Sequence, residues 1–223
     1  MCYAWLRSSL GKKTLMAISG LMLVGFVIMH LAGNLFIYGG PSALNAYAEK
    51  LRHVEPLVWA VRFVLLVATA VHIVTSIQLT HENAAARPQH YAAYRTNEAT
   101  FAGRTMILSG LLGLAYLIYH LLHFTFRVTN PDISHGLDAL GRRDVYAMVV
   151  RSFQQPLISL AYVAGLAALC LHLGHGLASS FQTLGFNNER TLPILTRLGR
   201  LFALVLFIGY ASIPVAVLLG VIR

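Results

Sequence analysis

Residues 15–38 read LMAISGLMLVGFVIMHLAGNLFIY, and this stretch decides what kind of protein the chain is. It holds one imidazole, His30, and no lysine, arginine or carboxylate. About 20 apolar residues in a helix cross the hydrocarbon of a bilayer, so an uncharged run of this length reads as a spanning segment. Arg7, Lys12 and Lys13 precede it, but it is too long for a signal-peptide core. No small-x-small cleavage site follows, so it reads as a retained span.

Four further runs repeat the pattern: Leu57–Thr80, Thr105–Phe126, Pro156–Ser180 and Leu201–Ile222. The 223 residues are 57% hydrophobic and 11% charged, with a mean hydropathy of +0.66. Soluble domains carry roughly a quarter charged residues, so the composition excludes a water-soluble globule, a disordered tail and a disulfide-stapled secreted module. The net charge of +9 falls mostly between the runs, which is the distribution of a polytopic membrane protein and not of a nucleic-acid binder. Arg62 lies near the end of its run, where its side chain can reach the headgroups. Pro214 is tolerable in a membrane helix, with a kink. No internal repeat or low-complexity stretch stands out. The sequence therefore predicts one all-α transmembrane domain over 1–223, a five-helix bundle in contact with membrane lipid.

The connections predict less. Pro41 and Ser42 open a segment in which Leu44, Tyr47, Ala48 and Leu51 recur at helical spacing, which reads as a short helix along the membrane surface. In the loop Arg127–Gln155, Asn130-Pro131-Asp132 signals a turn, and Val145–Val150 an interfacial turn. The 17 lysines and arginines divide almost evenly between the two sides. The basic cluster before the first run and the acids Glu49, Glu55, Asp132, Asp138 and Asp144 opposite it favour a cytoplasmic N-terminus. Cys2 and Cys170 are poorly placed for a disulfide, and there is no Cys-x-x-Cys or Cys-x-x-Cys-His, so covalent c-type haem and a cysteine-rich zinc site are excluded.

The chemistry lies in the ten histidines. His30, His72, His120, His123, His172 and His175 fall within the runs, and an ionisable group in a bilayer is costly enough to be a functional hypothesis. Counted from the cytoplasmic side at about 1.5 Å per residue, His30 and His120 lie near 24–25 Å, and His72 and His172 near 12 Å. Four helices thus supply two histidines at an outer level and two at an inner one. Zinc asks for four ligands, and the spans hold no carboxylate for a di-iron cluster. A b-type haem needs two axial imidazoles, and bis-histidine ligation suits electron transfer. The levels predict two b haems, on His30 with His120 and on His72 with His172. His120/His123 and His172/His175 are both His-x-x-His pairs in which either member could ligate, and depth favours the first. His123 and His175 could instead bond a haem propionate, line a quinone pocket or face headgroups. Small residues flank the ligands (Gly33, Ala68, Gly113, Gly165, Ala168 and Gly176), giving room for a macrocycle or ordinary helix packing. His53, His81, His90 and His135 read as solvated loop residues.

Several motifs carry a family resemblance: His30-Leu31-Ala32-Gly33-Asn34-Leu35, Gly40-Pro41, Asn45-x-Tyr47-Ala48, Tyr119-His120-Leu121-Leu122-His123-Phe124, and His172-x-x-His175-Gly176-x-x-Ser179-x-Phe181-Gln182-Thr183-x-Gly185. In these the chain resembles the dihaem cytochrome b membrane anchor of bacterial succinate dehydrogenase and fumarate reductase, the single five-helix type of complex II. The resemblance weakens only in the last run. It implies the same haem pairing, with His30 and His120 on the haem distal from the catalytic subunits. It also implies a flavoprotein and an iron–sulfur subunit on the cytoplasmic face, menaquinone or another quinone as carrier, and a bacterial cytoplasmic membrane. Dicarboxylate chemistry would then belong to the partner subunits. Some fumarate-reducing members carry a glutamate two residues before the fourth-helix ligand. Cys170 stands there, and a thiol is a poor proton relay at neutral pH. Glu49 is a candidate quinone-linked proton acceptor. A dihaem anchor of a hydrogenase or formate dehydrogenase shares the ligand logic. A histidine-relay transporter would call for coupling acids in the spans and broken helices, and the sequence offers neither.

Overall fold

The computed structural model describes residue 5, residues 8–86 and residues 105–223. Its helices are α1 (Ser9–Asn34), α2 (Gly40–His53), α3 (Glu55–Ala85), α4 (Met106–His120), α5 (Pro131–Ser134), α6 (Val145–Phe153), α7 (Pro156–Thr183) and α8 (Thr191–Leu218). A 3₁₀ turn, Leu35–Gly39, joins α1 to α2, and a π turn, Leu121–Thr125, extends α4. Among the described residues there is no strand, only a bridge between Leu137 and Arg143 in the loop before α6. Five segments are long and apolar enough to cross a membrane: α1 with its continuation, α3, α4 with its π turn, α7 and α8. The chain is an all-α, multi-pass membrane protein.

Local chemistry sets the helix ends. Ser8 caps α1, its hydroxyl accepting from the Gly11 N–H at 3.0 Å, so the helix begins six residues before the first apolar run. Lys12 pairs with Glu82, fastening the start of α1 to the end of α3. Pro41, Pro56, Pro131 and Pro156 each stand in the first turn of a helix, where the missing N–H costs nothing. Gly40, at φ +82°, turns the chain from α1 into α2. The last span also departs from expectation. It starts at Thr191, not Leu201, carrying Arg197 and Arg200 within the helix, and stops at Leu218 before Gly220 at φ +70°.

We call the end holding the start of α1 the near end and the opposite one the far end. α7 packs against both α1 and α8, while α3 rests mainly on α1 and α4 mainly on α7. At the crossing of α7 with α8, a Cβ on Gly199 would come within 2.9 Å of the Gly174 carbonyl, so the two backbones nearly touch. Large apolar side chains on α3 and α4, such as Phe63, Leu66, Leu108 and Leu111, are exposed, as lipid-facing surfaces must be.

α2 and α6 close the far end. α2 matches the surface helix predicted from Pro41, but the Val145–Val150 segment is no interfacial turn. It belongs to a full helix capped by Asp144, whose carboxylate accepts from the Ala147 N–H at 2.9 Å. Val149, Val150 and Phe153 are buried with Ile37, Ile213, Val217 and Ile222, so α6 plugs the bundle. Asn45 of α2, 1% exposed, pins this layer. Its carbonyl accepts from the Tyr146 N–H at 3.0 Å, and its amide donates to Asp144 at 3.1 Å and Asp138 at 3.3 Å. Desolvation raises the Asp138 carboxyl, but hydrogen bonds from the Arg142 side chain and from the Arg142 and Leu140 N–H groups outweigh it. The carboxyl titrates below its ordinary value.

Candidate functional site: two imidazole pairs

The spans bring the intramembrane histidines together in two pairs. Towards the far end, the rings of His30 and His120 have centres 5.8 Å apart and planes at 84°. Towards the near end, His72 and His172 stand at 6.1 Å and 75°. Two imidazoles bound on opposite sides of one metal by bonds of about 2 Å place their ring centres roughly 6 Å apart. Among the described residues no group of three or more His, Cys, Asp or Glu side chains could hold a metal, so these are pairs and not clusters.

The near-end pair is held by peptide and hydroxyl groups. His72 Nδ1 lies 3.1 Å from the Met16 carbonyl and 3.5 Å from Ser19 Oγ. A carbonyl can only accept, so the proton sits on Nδ1 and Nε2 keeps its lone pair for a ligand. His172 repeats the arrangement on α4, with a hydrogen bond to the Met106 carbonyl and Ser109 Oγ 3.3 Å from its Nδ1. Glycine makes room for both rings. A Cβ on Gly20 would lie 3.1 Å from His72 Cε1, and one on Gly110 would lie 3.3 Å from His172 Cε1.

These seats reveal a repeat that the sequence reading missed. Met16-x-x-Ser19-Gly20 is followed after nine residues by His30, and Met106-x-x-Ser109-Gly110 after nine residues by His120. In α3 and α7, Ala68-x-x-x-His72 matches Ala168-x-x-x-His172. One helix of each half thus supplies a far-end imidazole and also seats the near-end imidazole of its neighbour. Serine, glycine and methionine are ordinary helix-packing residues, and only laying α1 over α4 exposes the signal.

The far-end pair sits among aromatic rings. Phe26 stacks on His30 at 5.3 Å, and Tyr210 lies 6.2 Å away. Phe124, Tyr162 and Tyr116 surround His120 at 5.7, 6.0 and 6.1 Å. His120 Nδ1 is buried without a partner, an unmet bond worth about 1–3 kcal/mol. His123, three residues on, is fully buried with both nitrogens engaged. Nδ1 meets Tyr162 Oη at 3.0 Å, while Nε2 meets Ser152 Oγ at 3.1 Å and Asn130 Nδ2 at 3.3 Å. It faces neither headgroups nor a partner imidazole. Both pairs therefore hold two imidazole rings at that spacing, and each contains the first member of one His-x-x-His motif, His120 at the far end and His172 at the near end.

Other candidates fall elsewhere. His175 and Cys170 line a cavity of about 430 Å³ between α7 and α8 with Arg200. Glu49 is ion-paired with Arg52 at 3.0 Å. His53 and His81 are exposed within α2 and α3, not in loops, and His90 lies outside the described residues. Two glycines expected to give a macrocycle room seat tyrosines instead: Gly33 packs under Tyr47 and Gly165 under Tyr116.

The fold and the pairs define a multi-pass helical membrane protein with two histidine pairs along its length. Comparison with protein-family models, curated proteins and solved structures finds no match for this chain.

Proposed function

We propose that this chain is the membrane-anchor cytochrome b of a succinate:quinone oxidoreductase, holding one b haem on His30 and His120 and a second on His72 and His172. The observation that carries the reading is the pairing itself: four spanning helices deliver four imidazoles as two opposed couples about 6 Å apart. When bound, the haems would supply one-electron transfer between two depths of the membrane. The chain's own groups would fix the near-end ligands through Met16, Ser19, Met106 and Ser109, and exclude water from the far-end pair with its aromatic surround. α1 carries both Ser19 and His30, so the two levels are separated by about 16 Å of helix rise. The motif resemblance adds an iron–sulfur and a flavoprotein subunit, a quinone (menaquinone first), and a cytoplasmic N-terminus in a bacterial inner membrane.

The test is a pyridine haemochrome assay and a reduced-minus-oxidised spectrum on the purified protein. About two non-covalent b haems per chain are expected, with one lost in each of His30→Ala, His72→Ala, His120→Ala and His172→Ala. A folded preparation that takes up no haem sinks the reading. Loss in His123→Ala with retention in His120→Ala overturns the ligand assignment alone.

A further inference from the structure

At the far end, outside both pairs, three arginines from separate segments line one small cavity of about 170 Å³: Arg62 of α3, Arg127 just after α4, and Arg143 before α6. The one carboxylate among its lining residues, Asp144, accepts at Oδ1 from the Ala147 N–H, as the cap of α6, and from the Asn45 amide. Among the described residues, none of the three guanidiniums forms an ion pair. Arg62 lies over the Trp59 ring at 4.8 Å, and Arg127 donates to the Ser134 carbonyl at 3.3 Å.

Arg127 has a φ of +57°, and no other non-glycine residue among those described has a positive φ. A left-handed residue with a Cβ costs about 1–2 kcal/mol, and backbone strain of this kind collects where a side chain must be aimed. Burial, followed by the nearby charge of Arg143, pushes the Arg127 guanidinium below its ordinary value. The cavity thus sets three guanidiniums against one carboxylate, a surplus of positive charge that calls for a further counter-ion.

The surroundings specify the bearer of that counter-ion. Phe126, Val128 and Leu137 are 64%, 61% and 67% exposed around the cavity-lining segment, at the level where α3 begins and α4 ends. Guanidinium forks match phosphate oxygens in pairs. An apolar fringe beside such a group suits an acyl chain better than water.

We propose that Arg62, Arg127 and Arg143 bind the phosphate of a phospholipid headgroup in the far-end leaflet, with its chains against the exposed apolar fringe. The test uses the full chain purified in mild detergent, saturated with phosphatidylglycerol, washed, and weighed by native mass spectrometry. One lipid per chain is expected to survive washing. Retention should fall roughly 25-fold in Arg127→Gln/Arg143→Gln, each basic residue at a membrane surface contributing about fivefold. Arg197→Gln, an exposed arginine at the near end, should leave retention unchanged. If the double variant loses its helical circular dichroism, Arg62→Gln, on a different element, carries the test with about a fivefold loss. Equal retention in folded arginine variants overturns the site. Inorganic phosphate that stabilises the wild type, with no lipid retained, assigns the arginines to a free anion and overturns the lipid.

Discussion

The two imidazole pairs are close in geometry and opposite in surroundings. The near-end rings are fixed by backbone carbonyls, serine hydroxyls and the space left by two glycines. The far-end rings are fixed by stacking and edge contacts with phenylalanine and tyrosine, and one buried ring nitrogen goes unpaired. A hydrogen bond specifies which ring atom carries the proton, whereas an aromatic wall specifies only where the ring lies. The near-end pair is therefore set atom by atom, and the far-end pair by volume.

The largest expected effect comes from filling a near-end seat. Gly20→Val or Gly110→Val drives a side chain into His72 or His172, and under the haem reading should remove the near-end haem while leaving the far-end one. Spectral titration of the two haems measures this. Gly165→Ala, which displaces Tyr116, should disturb the far-end haem alone. If either substitution acts on the other pair, the contrast breaks.

Next in size is His123→Ala. It leaves the Tyr162 hydroxyl and the Asn130 amide without their imidazole partner, while Ser152 keeps its bond to the Met148 carbonyl, and should lower stability by about 1–3 kcal/mol, read as a fall in Tm in detergent with both haems retained. Ser19→Ala and Ser109→Ala should each cost about 0.6 kcal/mol, the usual size of a side-chain hydrogen bond within a membrane protein. The two seats are copies, so chemical denaturation should give equal losses, and a several-fold difference would show that the halves are not equivalent. The smallest effect is at Asp138. Its folded carboxyl titrates below the unfolded value of about 3.9, so its stabilising contribution is complete above that value. It is lost as the pH falls through the lower folded one. Limited acid proteolysis in the loop before α6 should increase over that window, and Asp138→Asn should increase it at neutral pH.

Most of the bundle was legible because lipid imposes a plain rule: five apolar runs, one of them holding Arg62, became five spans. The helix ends were not, because apolar runs do not register a Ser8 cap, and because Arg197 and Arg200 interrupt a run without interrupting the helix. The burial of α6 is not legible in its own residues, since it depends on α2 and α8, far away in sequence, as well as on the adjoining α7. The pairing of His30 with His120 and of His72 with His172 followed from rise per residue, but the distance between the levels did not, being about 12 Å by that count and about 16 Å from Ser19 to His30 in α1. Depth arithmetic could not separate His123 from a headgroup-facing histidine. Its burial comes from Tyr162 and Ser152, which no spacing rule links to it.

The repeat has a consequence for symmetry. α1 and α4 run the same way, and so do α3 and α7, so the repeat lays one helix pair out as it does the other, although α7 packs on α1 and α3 makes no comparable contact with α4. In a two-fold arrangement like meets like on the axis, and here residue 30 meets 120 and residue 72 meets 172. At the near end both rings are seated by the same methionine, serine and glycine positions, so a group held there would be gripped alike from both sides, whereas the two far-end rings have different aromatic neighbours. α8 departs from that likeness and reaches the far-end pair itself, with Tyr210 6.2 Å from His30. The two halves thus diverge at the far end and keep their likeness at the near one.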